Sequence, residues 1–244
     1  MRLDRYLVEK GMVETRSQAT DLIRRGLVFV DGDQAAKAGL MITCQKIEIR
    51  HERRFVGRGG EKLMHALLDF SLSLDGKIVI DIGSSTGGFT DCALQSGAVR
   101  VHAYDVGKDQ MAESLRGDVR IDLHESTNIL DVDLPDADVI LIDVSFVSVI
   151  KVLRHVKDHP GEVIALIKPQ FEAGPGRRKE GIVKDVRQHK AILMKVLREA
   201  QVLGYGIQGL AKATPKGSGG NQEYMVYLSK QTNEKPLESW LGDM

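Results

Sequence analysis

Val79-Ile80-Asp81-Ile82-Gly83-Ser84-Ser85-Thr86-Gly87-Gly88-Phe89-Thr90-Asp91 decides the fold. An apolar run rich in β-branched residues breaks into a glycine turn, and Thr90 to Ser96 then starts a helix. Strand, tight turn and helix in that order open a doubly wound α/β sheet. The pattern repeats outward. Lys77 to Ile82 reads as a buried strand and Val99 to Tyr104 as a second, ending at Asp105. Val139 to Ile142 ends at Asp143, and Val163 to Ile167 ends at Lys168. Strands alternating with helices predict a mostly parallel sheet covered on both faces, with ligands at the carboxyl ends of its strands. Asp81, Asp105, Asp143 and Lys168 fall at such ends in this reading.

The turn is not the Gly-x-Gly-x-x-Gly of dinucleotide enzymes, because Ser85 stands where the second glycine would be. That glycine lets backbone approach a pyrophosphate. S-adenosylmethionine has no pyrophosphate and needs only a close turn beside its methionine portion. Asp105, at the end of the next strand, is placed to accept hydrogen bonds from the two hydroxyls of a ribose. Strand, turn and following acid therefore point to an S-adenosylmethionine-dependent methyltransferase, yielding S-adenosylhomocysteine, with a nicotinamide enzyme as the second reading.

The 244-residue length allows one α/β domain and a small accessory domain. No stretch approaches the roughly 18 consecutive apolar residues of a membrane helix, and no apolar signal core follows the charged start, so a cytoplasmic protein is expected. Cys44 and Cys92 lie far apart and the histidines are scattered, so neither a disulfide nor a metal is expected. The formal net charge of zero conceals an asymmetry. Met1 to Gly60 carries 12 Lys and Arg against 8 Asp and Glu, and the remainder 22 against 26. A basic head on an acidic body suits a polyanion held by the head, although ordinary surface charge accounts for the counts equally well.

Within the head, Thr15-Arg16-Ser17-Gln18 has capping-box form and Ala19, Leu22 and Ile23 share one helical face, with Gly26 closing the helix. Leu27 to Val30 is a short strand, Asp31-Gly32 a hairpin turn, and Ile47 and Ile49 alternate in a later strand. Arg2, Arg5, Arg16, Arg24 and Arg25 fall on polar faces, where guanidinium groups match phosphate oxygens. Arg2-Leu3-Asp4-Arg5-Tyr6-Leu7, Thr15 to Ala19 and Leu22 to Gly32 resemble the RNA-binding domain named after the fourth small-subunit ribosomal protein, over about residues 1–50. That resemblance implies RNA binding by an α+β head.

Lys62, Asp143, Lys168 and Glu223 carry the specific chemistry. Lys62 follows Gly59-Gly60 ahead of the first strand, and Glu223 begins a strand to Leu228. A doubly wound sheet can bring all four to one rim. A hydroxyl is a poor nucleophile and needs a base held against it, in line with the methyl donor. Lysine serves only when neutral, and crowding Lys168 against Lys62 would lower a pKa that starts near ~10.4. In the order Lys, Asp, Lys, Glu these residues resemble the tetrad of FtsJ-type ribose 2'-O-methyltransferases.

A narrower resemblance spans nearly the whole chain. Arg53-Arg54-Phe55-Val56-Gly57-Arg58-Gly59-Gly60-Glu61-Lys62-Leu63, Ser85 to Asp91, Asp143-Val144-Ser145-Phe146, Lys168-Pro169-Gln170-Phe171-Glu172 and Gly219 to Tyr224 look like the TlyA family, although Phe55 stands where that family usually has Trp. That family carries both a hemolysin label and ribosomal RNA methyltransferase activity on a cytidine 2'-hydroxyl. The start of the chain resembles the shorter members, which implies a large-subunit target. The resemblance further implies that Asp81, Gly83, Ser85, Thr86, Gly87, Gly88 and Phe89 surround the methionine end of the cofactor. Asp105 would hold its ribose, Asn128 and Ile129 would border its adenine, and Asp143 would belong both to the cofactor site and to the tetrad, where it and Glu223 would hold the amines in register. Arg53, Arg54 and Arg58 in a basic linker over 51–60, and Arg177 and Arg178 in the loop Glu172 to Asp185, are expected RNA contacts, the loop alternatively being merely solvated. The methyltransferase domain is placed at 61–230 and a polar tail at 231–244. Ribosomal RNA or a ribosomal subunit is the expected partner, no membrane is, and the chain is expected to be a monomer.

Rival chemistries fail on placement. A methyltransferase for exocyclic amines would have Asn or Asp followed by Pro-Pro and an aromatic where this chain has Asp143-Val144-Ser145-Phe146. A carbon-directed enzyme needs a nucleophilic cysteine, but Cys92 follows the turn and Cys44 lies in the head. Two alternatives outside catalysis are a membrane-lysing hemolysin, for which no amphipathic or spanning segment is found, and an RNA-binding assembly protein without activity.

Overall fold

The structure, a computed structural model, describes residues 1–49, 55–173, 182–183, 185–232 and 235–242. The chain divides into two compact units, Met1–Arg54 and Phe55–Met244.

In the first unit, helices α1 (Leu3–Glu9) and α2 (Arg16–Arg24) pack on a three-stranded sheet of β1 (Val28–Val30), β2 (Asp33–Gln34) and β3 (Ile47–Ile49), in the order β2-β1-β3. The capping box forms: Gln18 N–H donates to Thr15 Oγ1 at 3.2 Å, and Thr15 N–H donates to Gln18 Oε1 at 3.4 Å. Asp31 and Gly32 both take positive φ, 51° and 93°, which closes the two-residue turn between Val30 and Asp33. Leu3, Leu7, Ala19, Leu22, Ile23 and Val28 form its core.

The second unit contains α3 (Arg58–Asp69), β4 (Ile78–Ile82), α4 (Gly88–Gln95), β5 (Arg100–Tyr104), α5 (Glu113–Arg116), β6 (Ile121–His124), β7 (Val139–Ile142), α6 (Val149–His155), β8 (Glu162–Ile167), α7 (Pro169–Glu172), α8 (Val186–Val202), β9 (Gly206–Lys212) and β10 (Tyr224–Ser229). Its seven strands run in the order β6-β5-β4-β7-β8-β10-β9, with β10 antiparallel to both neighbours and the remaining pairings parallel. Side chains alternate along β4. Val79 packs with α3 and α4 through Leu63, Leu67 and Cys92, whereas Ile80 and Ile82 pack with α6 and α8 through Leu153, Leu193 and Leu197. Strand order reverses at β4, so the crevice between β4 and β7 is the ligand position of this topology.

Four details differ from the sequence reading. Strands β6 and β9 and the long α8 were not assigned from sequence. Asp81 lies inside β4 rather than at its end. Helix α3 begins at Arg58, so Arg58, Gly59 and Gly60 belong to a helix rather than to a linker. Those glycines answer a packing requirement: a Cβ on Gly60 would stand 2.8 Å from the Gly88 carbonyl and 2.4 Å from the Phe55 ring. The tail is also docked, because Leu237 and Leu241 are buried in the core that includes α8.

Candidate active site

Two adjoining cavities open at the carboxyl ends of β4, β5 and β7. The first, about 420 Å³, is lined by Lys62, Ser84, Asp143, Lys168, Gln170 and Glu223 among others, and the second, about 570 Å³ and more apolar, by Tyr104, Asp105, Asn128, Ile129 and Val144. They share Gly83, Ser85, Asp143, Ser145 and Phe146. The glycine turn forms the floor between them. Gly83 takes φ 87°, and a Cβ there would stand 2.8 Å from the Asp143 carbonyl. Gly87 takes φ 89° as the N-cap of α4. Side chains at these positions would be strained and would also collide.

Asp105 is fixed by backbone: Oδ2 accepts from Ser85 N at 2.8 Å and Oδ1 from Gly107 N at 2.6 Å. Each carboxylate oxygen keeps a further lone pair for a ligand hydroxyl. Asn128 lines the second cavity while its side chain caps a short 3₁₀ turn, accepting from Leu130 N and donating to Asp131.

In the first cavity two ion pairs face one another. Lys168 Nζ lies 2.7 Å from Asp143 Oδ1 and donates to Ser145 Oγ at 3.0 Å. Lys62 Nζ donates to Glu223 Oε2 at 2.5 Å, and Gln170 Nε2 donates to Glu223 Oε1 at 2.7 Å. Burial pushes the Asp143 carboxyl upward, against the lowering influence of the Lys168 and Lys62 ammonium groups. The four charges form one cluster at the mouth of the sheet. The amines are not simply crowded together, since each meets its own carboxylate.

Residues 55–230 match the model of the FtsJ-like methyltransferases and residues 1–43 that of the S4 domain. The 16S/23S rRNA (cytidine-2'-O)-methyltransferase TlyA of Mycobacterium tuberculosis is 36% identical over 99% of this chain and 94% of its own. This chain belongs to the TlyA family of FtsJ-like methyltransferases. A solved structure from Streptococcus thermophilus with a provisional hemolysin name is 36% identical, covers 99% of this chain and 94% of its own, and superposes with a TM-score of 0.76. An S-adenosylmethionine-dependent methyltransferase from Mesorhizobium loti, at 17% identity and a TM-score of 0.51 over 70% of this chain and 99% of its own, shares the fold.

Not every residue expected at the TlyA-family site lines a cavity. Gly83, Ser85, Thr86, Gly88, Phe89, Asp105, Asn128, Ile129 and the four charged residues do, but Asp81 does not. It is wholly buried beneath the turn, where Thr90 Oγ1 donates to Oδ2 at 2.6 Å. Gly87 shapes the turn from behind, against Met111 and Leu115. Arg58 lines the first cavity. In the head, Arg2 and Arg16 bond to the buried Asp4, and Arg24 and Arg25 pair with Asp21, while Arg5 is exposed. Arg53, Arg54, Arg177 and Arg178 lie outside the described residues.

Ser145, Gln170 and Phe146 are among the cavity residues that sequence reasoning does not single out. Ser145 and Gln170 orient the charged groups, and Phe146 stands 91% exposed at φ 68°, its ring 5.2 Å from that of Phe171. All three lie within the motifs Asp143 to Phe146 and Lys168 to Glu172, beside the charged residues that mark the site. Among the described residues no helix is long and apolar enough to cross a membrane.

Proposed function

We propose that the protein transfers the methyl group of S-adenosylmethionine to the 2'-hydroxyl of a cytidine in ribosomal RNA, with the large subunit as target. The observation that carries this reading is the Lys62, Asp143, Lys168, Glu223 cluster at the end of a cavity contiguous with a second, more apolar one. Membership of the TlyA family supports the acceptor. The relative from Mycobacterium tuberculosis acts on cytidines of both 16S and 23S RNA by its name.

The residues fit the cofactor. The second cavity offers Ile129 and Val144 as apolar walls for adenine and Asp105 for ribose hydroxyls. The tight turn at Gly83 and the buried Ser84 Oγ, which has no hydrogen-bond partner, would hold the methionine end. When bound, the cofactor supplies an electrophilic methyl group. Lys168 takes the hydroxyl proton as its neutral amine, the form with a lone pair, while Asp143 and Ser145 hold that amine in place. Lys62, fixed by Glu223, orients the hydroxyl. Phe146 and Phe171 stack on the base, and Arg2, Arg5, Arg16, Arg24, Arg25 and Arg58 hold phosphates.

Labelled cofactor offered with undermodified large subunits, small subunits and naked RNA tests this reading, followed by mapping of the modified nucleotide. Transfer to a ribose 2'-oxygen, abolished in Lys168→Ala while cofactor still binds, is expected. Label on a base atom, or full activity in the variant, overturns it.

A further inference from the structure

Beside the second cavity, behind Tyr104, the outer edge of the large sheet aims two imidazoles at one carboxylate. His102 on β5 and Asp122 on β6 are directly paired in the parallel register, and His124 follows two residues later on the same face. His102 Nδ1 lies 2.9 Å from Asp122 Oδ2, and His124 Nε2 lies 3.0 Å from the same oxygen. The three ligand atoms all fall within 4.8 Å of one another. Two ring nitrogens therefore converge on a single carboxylate oxygen, and His124 Nε2 is itself enclosed there. The ring cannot easily turn away. It stacks on Tyr104 with centroids 4.6 Å apart and planes 9° from parallel.

We propose that His102, Asp122 and His124 bind a divalent transition-metal ion of the zinc, cobalt or nickel class, with water completing the shell. Nitrogen and oxygen ligands stand about 2.0–2.2 Å from such an ion, so two ligands at right angles on it are separated by roughly 3 Å. Both imidazole nitrogens have that separation from the carboxylate oxygen. Two imidazoles and one carboxylate select these ions over magnesium or calcium, which take oxygen ligands. The His102, Asp122 and His124 side chains are 13%, 38% and 37% exposed, so the cluster lies near the surface. An ion here would clamp β6, an edge strand with β5 as its one neighbour, to the sheet. The histidines look scattered in sequence because they stand 22 positions apart, and parallel pairing of β5 with β6 brings them together.

Full-length protein stripped with chelator and titrated with zinc sulfate in a calorimeter tests the site, together with cobalt(II) as a visible-absorption probe. Expected are one tight equivalent of zinc, ligand-field bands with cobalt, and a raised melting temperature with zinc. His102→Ala and His124→Ala should each weaken binding at least about tenfold. Asp122→Asn, which keeps shape and loses the anionic ligand, should do the same, whereas His65→Ala should leave affinity unchanged. Absence of binding in the unaltered protein, or equal affinity in the three site variants, overturns the proposal.

Discussion

Lys62 and Glu223, 161 residues apart in the chain, meet at 2.5 Å with side chains only 9% and 3% exposed. Glu223 also accepts from Gln170, so both of its oxygens are occupied. An enclosed pair of this kind is weak evidence for stability when whole but costly to break, since the remaining charge is left uncompensated. Glu223→Ala should therefore destabilise the protein by about 3–5 kcal/mol in urea unfolding. Methyl transfer should fall at least about a hundredfold, because a displaced Lys62 no longer orients the acceptor. A fully stable Glu223→Ala would show that the Lys62 charge escapes to water.

Asp4 in the head behaves differently. It is buried, and hydrogen bonds from Arg2 and Arg16 hold its carboxyl well below the usual carboxylate range. A lowered folded pKa means stability present above the unfolded value, near ~4, and lost as pH falls toward the folded one. Asp4→Asn should reduce protection of head amides in hydrogen exchange at pH 7, and the difference from the unaltered protein should shrink as the solution is acidified. Because the variant also releases two arginines from fixed positions, RNA affinity should fall with it.

Much of the fold is legible because the strands that build the site are buried on both faces and read as continuous apolar runs, as Val139 to Ile142 does without error. The edge strand β6 is not legible, since Ile121-Asp122-Leu123-His124 is half polar and gains its strand character only from pairing with β5. Gly59 and Gly60 read as part of a linker in sequence, because glycine that permits close packing looks the same there as glycine that permits bending. That Lys62, Asp143, Lys168 and Glu223 can gather at one rim is legible from their places at element ends in a doubly wound sheet. Which amine meets which carboxylate depends on side-chain placement that no spacing encodes, and Gln170 became visible only through its bond to Glu223.

Asp81 gives a pH dependence of the opposite sign to that of Asp4. Burial, with smaller contributions from Asp143 and Asp105, pushes its carboxyl up to about 7 despite the hydrogen bond from Thr90. A raised folded pKa means that nothing is lost below the unfolded value near ~4, and that stability declines as pH rises from there to about 7. Asp81→Asn can still accept from Thr90 and has no charge to bury. Its stability relative to the unaltered protein should improve between pH 4 and pH 8, by at most roughly 4 kcal/mol. Parallel denaturation curves with a pH-independent offset would exclude this role for Asp81.

Phe146 joins strain and exposure at the boundary of the two cavities. Its φ of 68° lies in the left-handed region, and its ring, 91% exposed, buries little in return. A phenylalanine held so costs about 1 kcal/mol or more, which a purely structural residue would not retain. Phe146→Gly should relieve that strain and raise the melting temperature by a few degrees. It should also lower methyl transfer at least about tenfold, since stacking on a base contributes about 1–3 kcal/mol. Phe146→Trp, which keeps an aromatic face beside Phe171, should retain most of the activity and none of the gain in stability. If Phe146→Gly transfers methyl at the unaltered rate, the ring is not part of the acceptor site and its strained backbone is set by the turn after β7 alone.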